Sequence, residues 1–214
     1  HVEQDFKVEL AVFTRILRQR NEALKSKDLK EDVWINTLAD SGEKISAMRE
    51  NYILRLNKLL EKNRQYILPN VELSFSYDKG WDPNKSFFEA LSEKKSFDIE
   101  RRYTSVGPQN ANILIKLNGK DAQKICSRGQ QKLIANTMLL SQAKDFYEKK
   151  SFPSIILVDD LPAELTLEMQ EKILERLFET GSQIFLTALN DSILADILSE
   201  IDSNVFHVEH GVIT

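Results

Sequence analysis

"SIILVDDLP", residues 154–162, runs four apolar residues directly into two aspartates. A short, continuous apolar run without alternation suits a strand buried on both faces of a parallel sheet. Carboxylates at the carboxyl end of such a strand lie where open α/β sheets bind ligands. The texture around it agrees. A helix is predicted from residue 126 onward, then this strand at 155–158, a helix over 165–179, a strand at 183–186, a short helix over 192–198 and a strand at 204–208. Strands alternating with helices in this way predict a parallel α/β layer.

The amino-terminal half has a different period. Phe6, Leu10, Phe13, Leu17 and Leu24 recur at spacings of three and four, one stripe of a helix, and the stripe is interrupted at Arg20 and Asn21. After the polar stretch "SKDLKED" a longer periodic segment covers 33–67, with Leu38, Ile45, Met48, Tyr52, Leu56 and Leu59 on its seam. Two such helices joined by a short polar turn predict an antiparallel hairpin over 6–67. Gly42 costs the second helix about 1 kcal/mol relative to alanine, so a bend or break is expected there. "VELSFSY" alternates as a half-buried strand does, "KGWDPNK" supplies a turn, and a short helix is expected over 86–95. A strand at 113–117 then meets Asn118-Gly119, the pair that favours a tight hairpin.

The 42 % hydrophobic fraction suits a soluble globular chain, and no apolar run approaches the ~20 residues that cross a bilayer. The single cysteine, Cys126, fits a reducing compartment, so a cytoplasmic protein is expected. With 29 basic and 33 acidic residues the net charge is −4, which excludes a globally basic nucleic-acid coat. Contact with DNA would need a local patch, for which Lys94, Lys95, Arg101 and Arg102, or Lys116, Lys120, Lys124 and Arg128, are candidates beside their plain reading as solvated faces.

Two stretches carry chemistry. Asp159, fixed by an apolar strand, can hold Mg²⁺, and Asp160 points one residue further, toward where an attacking water would stand. In "SRGQQ", Ser127 offers a hydroxyl, Gly129 permits close backbone approach, and the amides opening the next helix form an anion site. An ordinary serine-capped helix is the plain alternative.

Together these stretches resemble the signature and Walker B elements of ABC ATPases. With "HVEQDF", "LRQRNEALK", "WINTLADSGEKI", "TSVGP", "LNGKDA", "SRGQQK", "LVDDLPAEL" and "VFHVEHG" they resemble the carboxyl-terminal part of the RecF family, SMC-like ABC ATPases of bacterial DNA repair. The resemblance implies an α/β fold: the carboxyl-terminal half of a P-loop ABC-type head over 104–214, and a mainly helical arm over 1–103. It implies that Ser127, Arg128, Gly129, Gln130 and Gln131 form the signature that meets ATP bound by a second subunit. Asp159 would be the Mg²⁺ carboxylate and Asp160 the catalytic, water-orienting acid. Ala163, Glu164, Leu165 and Thr166 would be the D-loop, with Thr166 where the family has aspartate, and Thr187 would stand at the switch position. Gln109, Asn110 and Ala111 depart from the histidine and charged residues that follow Gly-Pro in the family.

The function implied is that of an ATP-dependent homodimer acting in DNA replication, recombination, repair and the SOS response. It would bind DNA at single-strand to double-strand junctions and work with RecR and RecO to assist RecA loading, with ATP and Mg²⁺ as cofactors. None of the seven glycines begins G-x-x-x-x-G-K-[ST], so the chain is expected to be a fragment without the P-loop, inactive alone. Two other readings stand beside it: another ABC-class ATPase, either an SMC-type clamp or a transporter subunit, and a non-enzymatic interaction module that keeps the head fold.

Overall fold

The computed structural model describes residues 4–26, 32–69, 71–159, 165–187, 203–209 and 212–213. The predicted helical hairpin is present as α1, Gln4–Ser26, and α2, Ile35–Ile67. Phe13 and Ile16 of α1 pack with Leu38, Ala39 and Ile45 of α2, and with Phe87, Ala90 and Leu91 of α3, Phe87–Arg101. Ser86 caps α3 with a complete capping box closed by Glu89, which fixes where that helix begins.

α2 runs unbroken through Gly42, so the break the sequence allows there is not present. A Cβ at this position would overlap the Phe87 ring, so the missing side chain is the space into which Phe87 packs. Phe87 in turn stacks on Trp81 with ring centroids 4.6 Å apart. Burial of that ring outweighs the intrinsic helix cost of glycine.

A second core forms around the carboxyl end of α2. Ile67 and Leu68 meet Leu73 of β1, Leu73–Asp78, and Leu117 of β2, Asn112–Leu117. β1 and β2 pair antiparallel from Leu73↔Leu117 to Asp78↔Asn112. β2 turns into β3, Lys120–Asp121, through Asn118 and Gly119, both in the left-handed region with φ of 49° and 76°. That is the tight hairpin the Asn-Gly pair predicts. After the single-turn helix α4, Ala122–Ile125, come α5, Arg128–Lys150, β4, Ile155–Val158, α6, Leu167–Phe178, and β5, Gln183–Leu186. Leu133, Ile134 and Leu140 of α5 and Ile173, Leu174 and Leu177 of α6 complete the second core.

β4 and β5 pair in parallel from Ile155↔Gln183 to Val158↔Leu186, as expected for the α/β layer. The strand expected at 204–208 does not join them. Among the described residues the ladder there is local: β6, Val208–Glu209, pairs antiparallel with β7, Val212–Ile213, and residues 203–207 have no regular structure. The helix expected over 192–198 lies outside the described residues. The helix expected over 86–95 continues to Arg101, because Asp98 is tied down inside it.

Arg20, where the α1 stripe is interrupted, supplies that tie. It is fully buried, with Nε 2.8 Å from Asp32 Oδ2 and Nη1 2.8 Å from Asp98 Oδ2. Nη1 also donates to Thr104 Oγ1 at 2.7 Å, and that hydroxyl donates to Asn21 Oδ1. The second oxygen of Asp98 accepts from the amide and hydroxyl of Ser105. Removing one member of such a buried set leaves charges without a partner. Arg20→Ala is therefore expected to destabilise the chain by about 3–5 kcal/mol, and Asp98→Asn by less because the amide oxygen still accepts. Urea denaturation midpoints measure both, and a cost for Arg20→Ala no larger than that of an exposed arginine would refute the role given to Arg20.

Among the described residues, none covers one face of the parallel layer. Ile156, Val158, Ile184 and Leu186 pack inward, whereas Ile155, Leu157 and Phe185 on the other face are 66 %, 76 % and 52 % exposed. Parallel strands are ordinarily covered on both faces, and a contiguous apolar patch promotes association. The chain is expected to self-associate in sedimentation at micromolar concentration, and Leu157→Lys combined with Phe185→Lys to shift it toward monomer. An unchanged distribution in the double variant would exclude this face as the cause.

Candidate nucleotide site

Parallel pairing of β4 with β5 sets the residues that follow each strand side by side. The Thr187 amide donates to the Val158 carbonyl at 3.0 Å, extending the ladder by one bond. Beyond it, Thr187 Oγ1 donates to Asp159 Oδ1 at 2.7 Å. The residues read as switch position and metal carboxylate, 28 positions apart, are thus in direct contact at the carboxyl edge of the layer. A neutral hydroxyl donor orients the carboxylate without cancelling its charge, and Asp159 remains exposed. Asp160, Ala163 and Glu164 lie outside the described residues. Leu165 is buried, its carbonyl accepting from Gln170 Nε2, and Thr166 stands at the cap position of α6 without a side-chain capping bond.

Among the described residues no three His, Cys, Asp or Glu side chains cluster as a metal cage. Mg²⁺ does not require one, since it is commonly held through one or two carboxylates together with substrate phosphates and waters. Asp159 with the adjoining Thr187 hydroxyl fits an ion bound in that way.

The signature stretch opens α5. Ser127 Oγ accepts from the Gln130 amide at 3.3 Å, and Gln130 Oε1 accepts from the Ser127 amide at 3.0 Å, a complete capping box. Gln131 Nε2 reaches back to the Cys126 carbonyl. The plain cap reading of Ser127 therefore holds. The amides of Arg128 and Gly129 belong to the first turn of α5, whose amides an α-helix leaves without intrahelical acceptors. Ser127, Arg128, Gln130 and Gln131 are exposed. Burial raises the thiol pKa of the neighbouring Cys126, which keeps it protonated and unreactive near neutrality.

α5 is fastened along its length to α2. Arg55 Nε bonds Asp145 Oδ1 at 2.8 Å, Asn63 Nδ2 bonds Ser141 Oγ at 2.8 Å, and Gln142 Nε2 bonds the Tyr52 hydroxyl at 3.0 Å. Burial raises the pKa of Tyr52, so that hydroxyl stays neutral and able to accept.

The residues that depart from the family pattern after Gly-Pro brace their own loop. Gln109 Nε2 donates to the carbonyls of Thr104 and Val106, Asn110 Nδ2 to that of Ser105, and Arg49 Nη1 reaches the Pro108 carbonyl at 2.6 Å. Of the two basic patches singled out in the sequence, Lys94 and Arg101 flank the Phe97 ring at 5.6 and 5.4 Å, and Lys124 pairs with Asp121 at 3.7 Å.

No protein-family profile matches the chain. Over 216 residues it is 33 % identical to the DNA replication and repair protein RecF of Shewanella denitrificans, a match covering 100 % of this chain and 60 % of that protein. The RecF of Shewanella frigidimarina is 33 % identical over 202 residues, covering 94 % and 56 %. The chain belongs to the RecF family. It corresponds to the carboxyl-terminal part of the RecF proteins and spans about 60 % of their length.

Among solved structures, the recombination mediator protein RecF with ATP, described in the RecFOR pathway, superposes with a TM-score of 0.80 at 22 % identity. It covers 100 % of this chain and 59 % of that one. The form of RecF designated RecF-ATPrS superposes at 0.77, with 21 % identity and coverage of 99 % and 59 %. These overlaps establish the fold, an α/β architecture shared with the solved RecF structures.

Ser127→Ala is expected to cost about 1 kcal/mol of stability by removing the α5 cap, and Ser127→Asp to restore most of it. Urea denaturation of the three proteins measures this, and equal midpoints would show that the cap contributes nothing.

Proposed function

We propose that the chain is the signature and Walker B part of an ATP-dependent mediator of DNA repair and recombination. In this reading residues 104–214 belong to the ATPase head and residues 1–103 form its arm. The observation that carries it is the Thr187–Asp159 hydrogen bond at the ends of paired parallel strands, in a chain related to RecF proteins along its whole length.

Asp159 and Thr187 would hold the Mg²⁺ of MgATP, which neutralises phosphate charge when bound. Asp160 orients the attacking water. Ser127, Arg128, Gly129, Gln130 and Gln131 face the terminal phosphate bound by a second copy, with the Ser127 hydroxyl and the α5 amides as donors. Residues 163–166 form the D-loop between the two copies, and Thr187 reports on the phosphate through its hydroxyl. The assembly is an ATP-dependent homodimer in the cytoplasm. It binds DNA at single-strand to double-strand junctions and acts with RecR and RecO to assist RecA loading, in replication-linked repair and the SOS response.

Two substitutions in the full-length protein test this. Asp160→Asn is expected to retain ATP binding but slow single-turnover hydrolysis about a hundredfold or more, so that the ATP-bound dimer accumulates. Ser127→Arg is expected to retain ATP binding by the monomer and to abolish the ATP-driven dimer seen by light scattering. Wild-type hydrolysis and dimerisation in both variants would remove Asp160 and Ser127 from these roles, whereas absence of ATP hydrolysis by the wild-type protein would favour the non-enzymatic interaction module.

A further inference from the structure

We infer that Asp145, paired with Arg55, is a positioning residue for the ATP-driven dimer: the pair holds α5 in one register on α2, so that contact of residues 127–131 with a second copy depends on where α2 lies. This rests on the signature reading proposed above and adds the side chains that set the signature's position. α5 is held in two ways along its length. Toward its amino end Leu133, Ile134 and Leu140 lie in the second core, an apolar attachment that has no preferred direction. Beyond Leu140 its buried side chains are Ser141 and Asp145, both polar and both bonded to α2. Ser141 Oγ accepts from Asn63 Nδ2 at 2.8 Å and donates to the Thr137 carbonyl at 2.7 Å, and Asp145 Oδ1 accepts from Arg55 Nε at 2.8 Å.

Stability does not account for a carboxylate at this crossing. Asp145 is 3 % exposed, and its charge leaves water to meet a guanidinium that stays partly exposed. Replacing such a pair by well-packed apolar side chains is often neutral or stabilising, because the desolvation cost offsets the attraction. What the ion pair adds is direction. Its bond forms at one rotation and one height of α5 against α2, whereas a pair of leucines would accept several. Asp145 Oδ2 is buried with no hydrogen-bond partner among the described residues, which makes loss of the Arg55 bond still more costly.

The pair acts at a distance because α5 is one continuous helix from Arg128 to Lys150. Asp145 and Ser127 are eighteen residues apart, about 27 Å along the axis, so a small tilt at the carboxyl end is a displacement at the signature end. α2 in turn carries the first core at its other end, where Leu38, Ala39 and Ile45 pack against α1 and α3. A ligand or partner that moved the first core would act on α2, and through Arg55 and Asn63 on α5. By linkage, the dimer that seats residues 127–131 would favour the same position of α2.

The test uses the full-length protein and reads three quantities: ATP affinity of the dilute monomer, the protein concentration at half-dimerisation with ATP by light scattering, and the urea midpoint. Arg55→Met combined with Asp145→Leu replaces the pair by apolar side chains. This variant is expected to keep the ATP affinity and the urea midpoint, yet to need about tenfold more protein, or more, to dimerise. Wild-type dimerisation in it would overturn the inference, because packing alone would then suffice. Should its midpoint fall, Arg55→Ala and Arg55→Lys decide. Dimerisation weakened in the first and recovered in the second, which keeps the charge, supports the role, and equal dimerisation in the two overturns it. Loss of ATP binding by the monomer in any of these variants would overturn it as well, since the signature acts only on phosphate held by the second copy. A wild-type protein that fails to dimerise with ATP would instead strike the signature reading on which the inference rests.

Discussion

A fully buried arginine organises the amino-terminal half of this chain. Arg20 is drawn out of water only because Asp32, Asp98 and Thr104 meet it at hydrogen-bond distance, and each comes from a different segment. α1 is thereby held to the residues ahead of α2, to α3, and to the stretch that leaves α3. That stretch continues through Gly107, whose amide bonds the Gly80 carbonyl at 3.0 Å, into the Pro108–Asn110 turn and β2. The same charge set that closes the first core therefore aims the strand that enters the second. The apolar contacts around Phe87 bury surface without fixing direction. The charge set supplies the direction, since only one arrangement of four segments satisfies it.

α2 is the element the two cores share. At 33 residues it is about 50 Å long, and it packs on α1 and α3 at one end and on β1, α5 and α6 toward the other. The bonds Arg55–Asp145, Asn63–Ser141 and Tyr52–Gln142 fix it to α5, the helix that Ser127 opens. The position of residues 127–131 is consequently set by the packing of α5 against α2 as well as by the second core. A displacement of α2 along or around its axis would have to break three specific side-chain bonds or carry α5 with it.

Local periodicity and turn chemistry made much of the fold legible in the sequence. The strands Ile155–Val158 and Gln183–Leu186, the Asn118-Gly119 hairpin and the two-helix hairpin stand where apolar spacing places them, because each is decided by neighbours in the chain. What spacing could not show depends on distant partners. Gly42 reads locally as a weak point, and only Phe87, forty-five positions on, makes it a packing surface. Arg20 reads as a gap in a stripe until Asp98 fills it, and the strand expected at 204–208 fails because its ladder closes on β7 instead. For the candidate site, Asp159 is legible from the strand that carries it. Its meeting with Thr187 requires the strand order, which no local pattern encodes.

The identity of the residue beside Asp159 constrains the chemistry more than its distance does. A lysine or arginine there would neutralise the carboxylate and compete with a divalent ion for the same oxygens. A hydroxyl gives up one hydrogen bond to Oδ1 and brings no positive charge to the carboxylate. Because the Thr187 amide is itself held to β4 through the Val158 carbonyl, the donor is anchored to the same two strands as the acceptor. Any shift of β5 relative to β4 would then be felt at the carboxylate, and any ion or phosphate that reoriented the carboxylate would be felt along β5. A threonine here thus ties the carboxylate to the parallel layer without carrying charge.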